Sequence, residues 1–120
     1  MLGFNFYTKN KETVMFKVSD TTYEKLANMG LGKIVEFVLT KIEVEGDEYE
    51  EEVATLDFES RKRIIESIQN EIYKELSNTL VNWDIDTLSI KDIKEGLAYI
   101  KSLTELCDFV KDEKNEYFSC

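Results

Sequence analysis

The residues of this 120-residue chain whose types and spacing offer chemistry are mainly carboxylates. The run Glu43-Val44-Glu45-Gly46-Asp47-Glu48-Tyr49-Glu50-Glu51-Glu52 holds seven of the 25 acidic residues. Carboxylates at that density hold a hard cation or meet a basic surface. The run lacks the ligand spacing and the turn glycine of an EF-hand loop, so calcium is disfavoured. Two readings stay open. The run is a solvated, mobile loop in which like charges repel, or it steers and pairs with the Lys and Arg side chains of a partner.

A second acidic pair, Asp84 and Asp86, follows the single tryptophan, Trp83. Asp84-Ile85-Asp86-Thr87 is similar to the nucleophile loop of aspartyl-phosphate enzymes. That chemistry needs the end of a buried parallel strand, Mg²⁺ and a distant lysine, and no βαβ pattern surrounds this segment. Ordinary turn chemistry accounts for it. Trp83 reads as a partial core anchor or as an interface anchor, a role in which tryptophan is enriched. The candidate partner-binding set is therefore Glu45, Asp47, Glu48, Tyr49, Glu50, Glu51, Glu52, Trp83, Asp84 and Asp86.

The chain has no histidine. The commonest general base, the Ser–His and Cys–His pairings and the commonest metal ligand are thereby removed. No catalytic residue, metal ligand or cofactor site is assigned, and the chain is read as a non-enzyme. Gly30-Leu31-Gly32-Lys33 resembles a phosphate loop only superficially, because Ala27 and Ile34 stand where that loop needs glycine and Ser or Thr. A helix C-cap and hinge explain it. Arg61-Lys62-Arg63 is the only dense basic cluster and contains both arginines. Positive charge in the first turns of a helix opposes the dipole, which points to an anionic contact. Neutralisation by Glu59, Glu66 and the acidic run is the simpler account. Cys107 falls on an apolar stripe and reads as core; Cys120 reads as an exposed thiol.

Composition narrows the class. A 42% hydrophobic fraction supports one folded domain over residues 1–120. A net charge of −10 argues against direct nucleic-acid binding and anionic membranes. No apolar run approaches a membrane span. The N-terminal residues lack a signal-peptide pattern, and two cysteines are no disulfide framework, so a cytoplasmic setting is expected.

The elements that must position these groups follow from periodicity. Residues 2–7 and 13–18 alternate apolar and polar, which predicts an N-terminal β-hairpin. Residues 20–29 predict a short helix, with Thr21 and Glu24 as a capping box or Ser19 or Asp20 as cap, and Gly30 as C′. In residues 32–43 the apolar steps predict a helix although β-branched content favours a strand. Residues 43–52 are expected as the acidic loop. Asp57 to Val81 predicts a long helix with Phe58, Ile65, Ile68, Ile72, Leu76 and Leu80 on one stripe, capped by Thr55 or Asp57. A second long helix, with Ile93, Leu97, Ile100, Leu103, Cys107 and Val110 inward, follows the linker 82–89. The tail Asn115–Cys120 predicts a short strand beside the hairpin. The expected fold is α+β and mainly α: an N-terminal β-hairpin packed on a bundle of about four helices, with a long C-terminal antiparallel helix pair.

These features predict a small acidic protein-binding module of inhibitor, immunity or antitoxin type that meets a basic protein partner. The alternative is a structural or homo-oligomeric subunit that uses the helical pair. A non-histidine enzyme or small-molecule binder ranks below both.

Overall fold

The computed structural model of the chain describes residues 2–83 and 90–120, with side chains over 3–79 and 93–120. Strand β1 (Leu2–Thr8) and strand β2 (Thr13–Val18) form the expected hairpin, with Phe4 opposite Phe16 and Phe6 opposite Val14. Helix α1 (Asp20–Asn28) follows, and Ser19 caps it by accepting the Thr22 backbone N–H at 3.2 Å. A single helical turn, α2 (Leu31–Ile34), leads into strands β3 (Val38–Val44) and β4 (Asp47–Thr55). Helices α3 (Phe58–Trp83) and α4 (Ile90–Lys111) come next, and strand β5 (Asn115–Ser119) closes the chain.

The strands form one five-stranded sheet in the order β2-β1-β5-β4-β3, antiparallel throughout. The fold is therefore a sheet layer beside a helix layer and not a four-helix bundle. The expected helix over 32–43 and the expected acidic loop over 43–52 are instead one β-hairpin. Val38, Thr40, Ile42 and Val44 alternate along β3, and β-branched side chains fit a pleated surface well. Glu45 (φ 51°) and Gly46 (φ 88°) make a two-residue turn in which both residues have positive φ. That is the type I′ geometry that matches strand twist. Pairing with β4 decides between the two periodicities that the segment carries.

The main core lies between the sheet and the helices. Phe4, Phe6, Phe16 and Phe118 from the sheet meet Ile64, Ile68, Leu103, Leu106 and Val110. Phe109 stacks on Phe6 with ring centroids 5.0 Å apart. The helices run antiparallel: Gly96 lies against Thr79 and Glu75, Tyr99 against Glu71, and Asn115 against Arg61. The buried stripe of α3 is set by Ile64 and Ile68, flanked by Ile65 and Ile72. Phe58 and Leu76, expected on that stripe, are 79% and 42% exposed. A 26-residue helix is roughly 39 Å long; in its far half Glu75 and Thr79 lie against Gly96 of α4, and Glu75 pairs with Lys25 of α1 at 3.8 Å.

Candidate functional site

The β3–β4 ribbon joins the sheet only at its base, where Ala54 pairs with Phe118 and Thr55 with Tyr117. Beyond that point it curls over the face of the sheet that the helices leave bare. Ile42 and Val53 bury against Tyr7, with Val44 and Tyr117 packed around them, in a second small core. Tyr49 sits edge-on to Tyr7 at 6.4 Å. Burial, and next the Tyr7 hydroxyl, push the Tyr49 phenol up to about 12. The ribbon tip is tied to the β1–β2 turn by the Glu45 backbone N–H, which donates to the Lys11 carbonyl at 3.0 Å.

Register then sorts the acidic residues onto two faces, because successive side chains on a strand point to opposite sides. Thr40 faces Glu51, Ile42 faces Tyr49 and Val44 faces Asp47 on the side turned toward Tyr7. Leu39 faces Glu52, Lys41 faces Glu50 and Glu43 faces Glu48 on the side turned to solvent. Glu48, Glu50 and Glu52 are exposed, and Leu39 among them is 60% exposed. Lys41 Nζ reaches Glu48 at 2.9 Å and Lys11 Nζ reaches Glu43 at 3.0 Å. Both pairs are solvated and contribute little to stability. Strand β3 is also the outer strand of the sheet, and among the described residues no strand pairs with its far edge.

Of the ten sequence-derived candidates, three share the outward face: Glu48, Glu50 and Glu52. Asp47, Tyr49 and Glu51 lie on the other face, and Glu45 is in the turn. Trp83 ends α3, but its side chain, and Asp84 and Asp86 altogether, lie outside the described residues. Leu39 and Lys41 belong to the same surface and were missed by the sequence reading. Strand alternation in Val38–Val44, with a two-residue Glu-Gly link, was the signal available for them.

Among the described residues, no three His, Cys, Asp or Glu side chains gather into a group able to hold a metal ion. Nor is any described helix long and apolar enough to cross a membrane. No family model matches the chain, and no curated protein and no solved structure matches it.

Proposed function

We propose that this protein is a small protein-binding module that meets a basic partner through the outward face of its β3–β4 ribbon. The observation that carries this reading is the single exposed row of Glu48, Glu50 and Glu52 beside Leu39 and the outer edge of β3. Residues two apart on a strand stand roughly 7 Å from each other, close enough for their like charges to repel through physiological salt. Glu43 and Glu48 are moreover directly opposite across the ribbon, a repulsive arrangement offset only by their solvated pairs with Lys11 and Lys41. Folding gains nothing from such a row. An Arg- or Lys-rich surface supplies the compensating charge, and Leu39 supplies an apolar contact at the margin of the face. An inhibitor, immunity or antitoxin-type protein uses this arrangement to occupy a basic functional surface. A reducing, cytoplasmic setting suits the two free thiols, Cys107 and Cys120.

A second reading, an oligomeric subunit built on the helical pair, draws on Tyr73 and Leu76 of α3 and Leu97 of α4, which are exposed. A molar mass that rises with concentration favours it.

The test compares capture by the wild-type chain with capture by the variant L39A/E48Q/E50Q/E52Q, followed by binding kinetics on the purified partner. A basic protein retained by the wild type alone, associating more slowly as salt rises, supports the ribbon. Equal retention of the same proteins by both chains removes the ribbon from the reading.

A further inference from the structure

The ribbon leaves unexplained a basic cluster in an otherwise acidic molecule. A groove of about 640 Å³ opens between the first turns of α3, the end of α4 and the β1–β2 turn, within the size range of small-molecule sites. Four cationic residues from three separate elements line it: Lys9, Arg61, Lys62 and Lys111. Only two carboxylates, Glu66 and Glu113, accompany them, in a chain whose net charge is −10. Apolar surface comes from Ile65 and from Phe58, the most exposed of the large apolar side chains described.

The wall of this groove is built rather than incidental. Asn115 is buried, and its side-chain Nδ2 donates to the Phe109 carbonyl at 2.8 Å. Arg61 Nη2 donates to the Asn115 carbonyl, which ties α3 to the start of β5. The Lys9 backbone N–H donates to the Lys114 carbonyl at 2.8 Å and holds the β1–β2 turn against the same corner. Arg61 Nε is buried and has no hydrogen-bond partner among the described residues. A buried donor without an acceptor is uncommon in folded proteins, and this one belongs to a residue that lines the groove.

We propose that this groove binds a small amphipathic anion, with a carboxylate or phosphate head between Lys9, Lys62 and Lys111 and an apolar body against Phe58 and Ile65. The three lysines come from three elements that line one groove, and charge-assisted hydrogen bonds to an anionic head are the stronger kind. The aliphatic stems of the lysines extend the apolar lining. The site is separate from the outward ribbon face and stands or falls independently of it.

The experiment is a two-dimensional NMR titration of the full chain with four probes: 4-phenylbutyrate, phenyl phosphate, the neutral 4-phenylbutanol and inorganic phosphate. The first two distinguish a carboxylate head from a phosphate head. At least one of them is expected to bind saturably, with shifts centred on Lys9, Phe58, Lys62, Ile65 and Lys111. The neutral alcohol and inorganic phosphate are expected to bind at least about tenfold more weakly, since each lacks half of the recognised chemistry. K62Q/K111Q should weaken the anion about tenfold with an unchanged melting temperature, and K62R/K111R should retain it. Absence of saturable binding by both aromatic anions overturns the proposal. So does binding of the alcohol as tight as that of the acid, or wild-type affinity in K62Q/K111Q. Preference for a glutamate-rich peptide over both small anions also overturns it, in favour of an acidic protein segment.

Discussion

The Glu45 backbone N–H donates to the Lys11 carbonyl at 3.0 Å, which joins the tip of the second hairpin to the turn of the first. The contact crosses the sheet from one end of the strand order to the other. It makes the acidic ribbon a held element rather than a free loop, together with Ile42 and Val53 packed on Tyr7. A charged surface held in one place presents its carboxylates in fixed register, which lowers the ordering cost of association.

That arrangement depends on the turn at Gly46, whose φ of 88° L-residues rarely adopt. Nothing lies within 4 Å of an added Cβ there, so Gly46→Ala carries the backbone cost alone, about 1–2 kcal/mol. Gly3→Ala is the contrasting case, because a Cβ at Gly3 would come within 2.3 Å of the Phe16 carbonyl oxygen. The β1 and β2 backbones would have to part, so Gly3→Ala should be the more damaging of the two. Equilibrium urea melts of both variants check the order. A Gly3→Ala chain as stable as Gly46→Ala would show that the β1–β2 approach is looser than described.

The two ends of the α3 stripe should differ sharply. Ile68 is 0% exposed, and Ile68→Ala should cost about 2–5 kcal/mol through lost burial and the cavity left behind. Leu76 keeps 42% of its surface in solvent, so Leu76→Ala should cost under about 1 kcal/mol. Chemical denaturation resolves the difference easily. Equal losses would mean that the far half of α3 is covered, as an oligomer through the helical pair requires.

Asp57 gives the pH prediction. Its Oδ1 accepts the Ser60 backbone N–H at 2.8 Å at the start of α3. That bond, then the Ser60 hydroxyl, then Arg63 and Arg61, hold the carboxyl below the usual carboxylate range. A depressed folded value means that the unfolded chain binds the proton first. The stabilisation is therefore fully present above the ordinary value of about 4 and is lost as pH falls through the folded value. Asp57→Asn keeps a capping side chain without the titration. The stability difference between wild type and D57N should be constant from neutral pH to about 5 and shrink below about 4. Thermal melts across that range read it directly, and a difference that grows on acidification would reverse the assignment.

Much of this architecture was legible in the residues. Alternation in 2–7 and 13–18 marks the first hairpin, Tyr117 and Phe118 mark the closing strand, and long apolar stripes mark α3 and α4. The second hairpin was not legible because two signals compete in one segment. Leu31, Ile34, Val35, Val38 and Ile42 satisfy a helical period, while Val38, Thr40, Ile42 and Val44 satisfy a strand period. Only the long-range pairing of β3 with β4 and the burial of Ile42 on Tyr7 break the tie. Seven carboxylates in ten residues also disguised β4, since Glu is a poor strand former and the run resembles a solvated loop. The basic groove was half legible. Arg61-Lys62-Arg63 announces itself in the sequence, but Lys9 and Lys111 join its lining only through the fold, and Arg63 is not part of it.

The faces of the ribbon supply the prediction closest to function. E48Q/E50Q/E52Q removes three charges from the outward face, whereas D47N/E51Q removes two from the face turned toward Tyr7. If the outward face meets a basic partner, the first variant should associate severalfold more slowly at low salt, and the gap should close as salt screens the field. The second variant should associate close to the wild-type rate. Stability should be unchanged or slightly raised in E48Q/E50Q/E52Q, because the three carboxylates repel one another and the Lys41–Glu48 ion pair is solvated. Stopped-flow association at two ionic strengths, with melting curves on the same samples, separates a recognition effect from a folding one. Equal slowing in both variants would indicate a dependence on net charge alone and leave the outward face without a specific role.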